Sequence, residues 1–171
     1  VAVVRAWADW QQSYNTALGY FHQSKWKECL EAIDSCIAVD SMPASQYFLQ
    51  AQVNEKQGNP SAAKDSYLLA KEYDGLRFRA SEHLNRILRD FSKFPHVSLA
   101  DVKSAFEKAS PDSVTGKSLM LEHLHPNVEG YEVMARSFAG VIFENGMLGE
   151  WINNGKIIFK GKNNCNRLLR A

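Results

Sequence analysis

The sequence predicts a mainly α chain, with repeated helical hairpins followed by part of an α/β domain. Three observations carry that prediction. Small and large residues recur 34 positions apart through the first half of the chain. Beyond residue 75 the order becomes helix, short strand candidate, helix, loop and helix, which suits the last third of a doubly wound α/β layer. Finally, Glu122-His123-Leu124-His125-Pro126-Asn127 stands directly ahead of a long amphipathic stretch.

The repeat pairs Ala17 with Ala51, Cys29 with Ala63, Ile33 with Tyr67 and Cys36 with Ala70, and Ser24 with Gly58 at a turn. Small residues fall where two antiparallel helices must approach closely, and large ones where the next helix packs. Four helices are expected, near 6–22, 26–39, 44–57 and 60–73. The spacing and the Gly58 turn resemble tetratricopeptide repeats. The first repeat departs from that pattern at Ser24 and in using Cys for Ala, and both repeats lack the early Trp. Two repeats are fewer than the three or so that bury a continuous core, so the following segment is expected to cover the open face. Tyr73-Asp74-Gly75-Leu76 is short and partly apolar, which predicts a rigid junction.

In the second half, Ser81 can cap a helix whose Leu84, Ile87, Leu88 and Phe91 fall at i, i+3, i+4 and i+7. Pro95 stops it, and His96–Ala100 is the strand candidate. Asp101 can cap a helix with Val102, Ala105, Phe106 and Ala109 inside. Ser110–Gly116 is rich in turn residues. Asn127 can cap the last helix, with Tyr131, Met134, Phe138, Ile142 and Phe143 on its apolar face and Asn145-Gly146 as its stop. One strand makes no sheet, so the others are expected in another segment or another chain. Ile157-Ile158-Phe159 is a candidate for one late strand in the 147–171 tail.

The Glu-His-Leu-His-Pro-Asn block, preceded by Leu76-Arg77-Phe78-Arg79-Ala80, Val97–Val102, Phe106 and Ala109-Ser110-Pro111, resembles the C-terminal part of SGNH (GDSL-like) hydrolases. In particular, it is similar to bacterial members with tetratricopeptide repeats between the two halves of a flavodoxin-like domain. That resemblance implies residues 1–75 as helical repeats, 76–146 as the C-terminal portion of the hydrolase domain, and a serine ester hydrolase in the parent protein. His125, which precedes Pro126, would be the general base and Glu122 the acid that orients it. Glu replaces the usual Asp and alters the reach. The substrate would be a carboxylic ester, such as an acyl or acetyl group on a carbohydrate or lipid, and neither metal nor organic cofactor is implied. The required partner would be the N-terminal half of the hydrolase domain, in the same parent chain.

Other readings use the same residues. His123 is the rival base. The His-X-His spacing of His123 and His125 suggests a metal pair with no evident third ligand, and Glu122 with both histidines is a candidate zinc site. The Glu122–His125 pair could also be purely structural. No Gly-Asp-Ser block or oxyanion block is present. Ser13, Ser24, Ser35, Ser61 and Ser66 read as caps and polar surface, Ser110 and Ser118 as loop. The 171-residue chain alone is therefore expected to be inert, and with an incomplete sheet it is expected to expose apolar surface and self-associate. The repeats are an alternative functional centre, a peptide-binding module with Asn15, Gln50 and Asn54 available but no basic cluster beside them.

Composition excludes some classes. Twenty basic and nineteen acidic side chains give a net charge of +1, so no global field attracts nucleic acid or anionic lipid. Lys156, Lys160, Lys162, Arg167 and Arg170 form the one basic stretch. No apolar run approaches the ~20 residues of a membrane span and no signal-peptide layout is visible. Cys29 and Cys36, seven residues apart on one helix, would have Cα atoms roughly 10 Å apart, too far for a disulfide. They read as small core residues, and Cys165 lies in the polar tail.

Overall fold

The computed structural model describes residues 2–76, 78–147, 152–153 and 156–157. The chain is mainly helical. It divides into two compact units, Val1–Asn85 and Arg86–Ala171.

The first unit holds α1 (Ala2–His22), α2 (Trp26–Val39), α3 (Ala44–Lys56) and α4 (Pro60–Glu72), followed by the start of α5 (Glu82–Phe91). The α1–α2 and α3–α4 pairs are the expected hairpins, and α1 begins four residues earlier than its periodicity suggests. Ala17, Cys29, Ile33, Leu49 and Val53 form a buried cluster ringed by Tyr14, Leu18, Phe21, Trp26, Leu30 and Ile37. Fully burying one such Ile or Leu side chain stabilises by about 1.5–3 kcal/mol.

The 34-residue period is written into the turns. Ser24 has φ 57° and Gly58 has φ 73°. Behind them the Lys25 N–H donates to the Tyr20 carbonyl at 3.0 Å, and the Asn59 N–H donates to the Asn54 carbonyl at 2.9 Å. Both helices thus end by the same left-handed stop, which satisfies a carbonyl left open in the last turn.

Between the hairpins, the side chain of Gln46 is fully buried. It accepts from Trp10 Nε1–H at 2.8 Å and donates to the Asp40 carbonyl at 3.0 Å. Trp10 is in turn stacked between Trp7 and Tyr14, each pair of centroids 5.0 Å apart. Cys29 and Cys36 are free and buried, as the spacing predicts, and burial pushes the Cys36 thiol up to about 11.

At the end of α4, Glu72 accepts the Glu82 main-chain N–H at 2.9 Å, and Lys71 Nζ pairs with Glu82 and, at 3.7 Å, with Glu72. Ser81 caps α5, its hydroxyl accepting from Leu84 N–H at 3.4 Å.

The second unit contains most of α5, then α6 (Val102–Ala109), a 3-10 turn (Pro111–Ser113) and α7 (Val128–Glu144). Asp101 and Asn127 cap α6 and α7 as expected, accepting from Ser104 N–H at 3.0 Å and Gly130 N–H at 2.8 Å. Helices α6 and α7 pack together, and Phe106 is buried. The expected strand at His96–Ala100 does not form, because a strand needs a neighbour to close its main-chain ladder and none is present among the described residues. In the tail, β1 (Ile152–Asn153) pairs antiparallel with β2 (Lys156–Ile157), with Ile152 opposite Ile157. Ile158, Phe159, Cys165 and the basic residues from Lys160 onward lie outside the described residues, as does Arg77.

The apolar stripe of α5 is exposed. Leu84, Ile87, Leu88 and Phe91 retain 51, 38, 56 and 55% of their accessible surface, and no residue of the helix is buried. Tyr131, Phe138 and Phe143 on α7 are exposed too. No described helix is long and apolar enough to cross a membrane.

Candidate functional site

The Glu122–His125 block sits on a loop built from both sides. Leu119 is buried at its start and Pro126 at its end, and Met120 and Pro126 form an antiparallel bridge. Leu121 N–H donates to the His125 carbonyl at 2.9 Å, which closes a five-residue loop. Asn127 fastens this loop to α7. Its N–H donates to the Leu119 carbonyl at 3.0 Å, its side-chain Nδ2 donates to the Ser118 carbonyl at 3.1 Å, and its Oδ1 caps α7. Helix α7 can come this close because residue 130 is glycine. A Cβ there would stand 2.2 Å from the Leu119 carbonyl oxygen.

Within the loop, the Glu122 carboxylate turns inward and uses both oxygens. Oε1 accepts from His125 N–H at 3.0 Å and contacts His125 Nδ1; Oε2 accepts from Leu124 N–H at 2.8 Å. His123 Nδ1 also lies 3.0 Å from Oε2. Four contacts match the roughly four lone-pair positions of a carboxylate. The hydrogen bond from His125, helped by the two main-chain N–H groups and by His123, holds the Glu122 carboxyl down at about 2. Glu122 is therefore ionised at neutral pH, a ready acceptor for an imidazole Nδ1–H.

That acceptor fixes the tautomer. With the Nδ1 proton directed at Glu122, a neutral His125 ring carries its lone pair on Nε2. The His125 side chain is 64% exposed, so this basic edge is open to a reacting group. The structure brings Glu122 and His125 together, and His123, the rival base, meets the same carboxylate. The N–H and C=O of His125 are both hydrogen-bonded within the loop.

No serine hydroxyl among the described residues hydrogen-bonds to His125. Ser110 is buried, its hydroxyl without a partner among the described residues, so it is closed to substrate. Among the described residues no group of three or more His, Cys, Asp or Glu side chains is placed to hold a metal ion.

The amides named for peptide binding separate into two groups. Gln50 and Asn54 turn into the α3–α4 contact, where both meet the Ser66 hydroxyl, at 3.2 and 3.5 Å. Asn15 stays outside. With Trp7, Ala8, Gln11, Gln12 and Thr16 it lines an open, uncharged concavity of about 680 Å³ on α1.

No protein-family model, curated protein or solved structure matches this chain.

Proposed function

We propose that Glu122 and His125 are the acid–base pair of a serine ester hydrolase of SGNH type, with the nucleophile in a part of the parent protein outside these residues. The observation that carries this reading is the Glu122 carboxylate held ionised against His125 Nδ1 on a fastened loop, with the opposite edge of the ring in solvent. In such an enzyme His125 Nε2 takes the proton of the serine hydroxyl as it attacks the ester carbonyl. Glu122 stabilises the imidazolium that forms, and the same proton then passes to the leaving alcohol. Water repeats the cycle to release the acid. Residues 76–146 serve as the C-terminal portion of the α/β domain.

Ester hydrolysis by the full-length parent tests this. With p-nitrophenyl acetate, His125→Ala is expected to lower kcat/KM by about 10³–10⁴-fold, and Glu122→Gln by less. An unchanged rate in folded His125→Ala protein would remove His125 from the chemistry.

One observation favours a second reading, in which the repeats form an interaction module without catalysis. Trp7 is 54% exposed at the edge of the uncharged α1 concavity, a surface suited to a neutral peptide. On that reading Trp7→Ala abolishes partner capture, and His125→Ala has no consequence.

A further inference from the structure

The Glu122 carboxylate has one donor more than an acid–base pair needs. The Leu124 and His125 N–H groups aim it and His125 Nδ1 uses it, yet His123 Nδ1 also stands 3.0 Å from Oε2. Each oxygen therefore meets one main-chain N–H and one imidazole. Oε1 takes both from His125, and Oε2 takes them from Leu124 and His123. An ionised carboxylate only accepts, so the His123 nitrogen that faces it carries a hydrogen.

What the fourth contact does follows from the shape of glutamate. Its terminal torsion is broad and roughly two-fold, so the carboxylate plane turns easily unless both oxygens are held. The Glu122 side chain is 41% exposed, and water competes for any oxygen the protein leaves open. Without His123, Oε2 would meet that competition with Leu124 N–H alone. With it, the plane is held at both ends and Oε1 stays on His125 Nδ1. A turned plane would take Oε1 away and let the His125 proton settle on Nε2. That tautomer has no lone pair on Nε2 with which to accept a serine proton.

We propose that His123 is a positioning residue for the Glu122–His125 pair, its Nδ1–H holding Oε2 so that Oε1 keeps the His125 proton on Nδ1. The proton transfer itself belongs to His125. This rests on the reading of His125 as the general base, and it gives the second histidine of the loop a task that reading leaves unassigned.

Ring nitrogen-15 resonances of the 171-residue chain test this without any nucleophile. At about pH 8, where an ordinary imidazole is neutral, His125 is expected to carry its proton on Nδ1 in about nine molecules of ten. In His123→Ala that share is expected to fall below about half, the proton moving to Nε2. His123→Asn is expected to restore it, because the shorter amide still offers an N–H near the place of Nδ1. In the full-length parent with p-nitrophenyl acetate, His123→Ala should lower kcat about five- to tenfold at the same KM, and His123→Asn should recover most of that loss. A His125 tautomer unaltered in folded His123→Ala protein would overturn the proposal. So would a loss of about 10³–10⁴-fold in His123→Ala, since His123 would then do the chemistry itself. The two measurements also separate this proposal from the esterase reading. A tautomer that follows residue 123 in a parent without esterase activity keeps the positioning and loses the hydrolase, whereas an active parent whose His125 tautomer ignores residue 123 does the reverse.

Discussion

Gly130 at the start of α7 lies against the Leu119 carbonyl so closely that an added Cβ would stand 2.2 Å from the oxygen. That approach lets Asn127 bond both the loop and the helix, and so holds Glu122 and His125 in place. Gly130→Ala should therefore force the loop away from α7. The expected cost is about 1–3 kcal/mol, read by urea unfolding of the chain, with the larger consequence at the loop itself. Asn127→Ala should cost about 1 kcal/mol through the lost cap, and Asn127→Ser should recover part of it. Equal stability of Gly130→Ala and the parent sequence would show that the loop is held some other way.

The Glu122 carboxyl gives a pH signature. Its value in the folded loop, about 2, lies below the ordinary 4.5, so its contribution to holding the loop is complete above pH 4.5 and disappears as pH falls through about 2. The Leu124 and His125 amide resonances report it directly, since both N–H groups donate to Glu122. They should keep their positions down to about pH 3 and move only toward pH 2. Movement centred at 4.5 would mean the carboxylate is not bonded in solution. Glu122→Gln should displace both resonances at every pH.

Ser24 and Gly58 occupy the same turn of the repeat, and left-handed backbone costs a residue with a Cβ more than it costs glycine. Ser24→Gly is expected to stabilise the first unit by about 1 kcal/mol, and Gly58→Ala to destabilise it by a similar amount. Thermal unfolding of the two variants checks the pair. Opposite signs are required; a shared sign would mean the two turns are not equivalent.

The buried Gln46–Trp10 bond should behave as a coupled pair. Trp10→Phe leaves Gln46 Oε1 without its donor and should cost about 1–3 kcal/mol beyond the lost contact area. Adding Gln46→Met to Trp10→Phe should cost less than the sum of the single changes. Strict additivity in a double-mutant cycle would deny the bond.

Much of this was legible in the residues. Ala17 with Ala51 and Cys29 with Ala63 mark where paired helices touch, and that is a local steric requirement the period records. Asp101 and Asn127 announce their helices because a cap is a bond to a main chain only three residues away. Glu122 and His125 are three residues apart on one loop, so their meeting also follows from short-range geometry. The failures are long-range. The Leu84–Phe91 stripe tells which side of α5 is apolar but not what covers it, and it faces solvent here. Val97–Ala100 has the composition of a strand, yet strand formation depends on a neighbour this chain does not supply among its described residues. Sequence leaves His123 and His125 as rivals. That one carboxylate meets both depends on its orientation, set by the Leu124 and His125 N–H groups, which no spacing rule records.

The most direct test of the catalytic reading is covalent labelling of the full-length parent with a fluorophosphonate, with the adduct located by mass spectrometry and the 171-residue chain treated alongside. The account predicts one labelled serine outside these residues, a label that disappears with His125→Ala, and no label on the isolated chain. A folded parent that takes no label, or whose labelled serine is indifferent to His125→Ala, would contradict it.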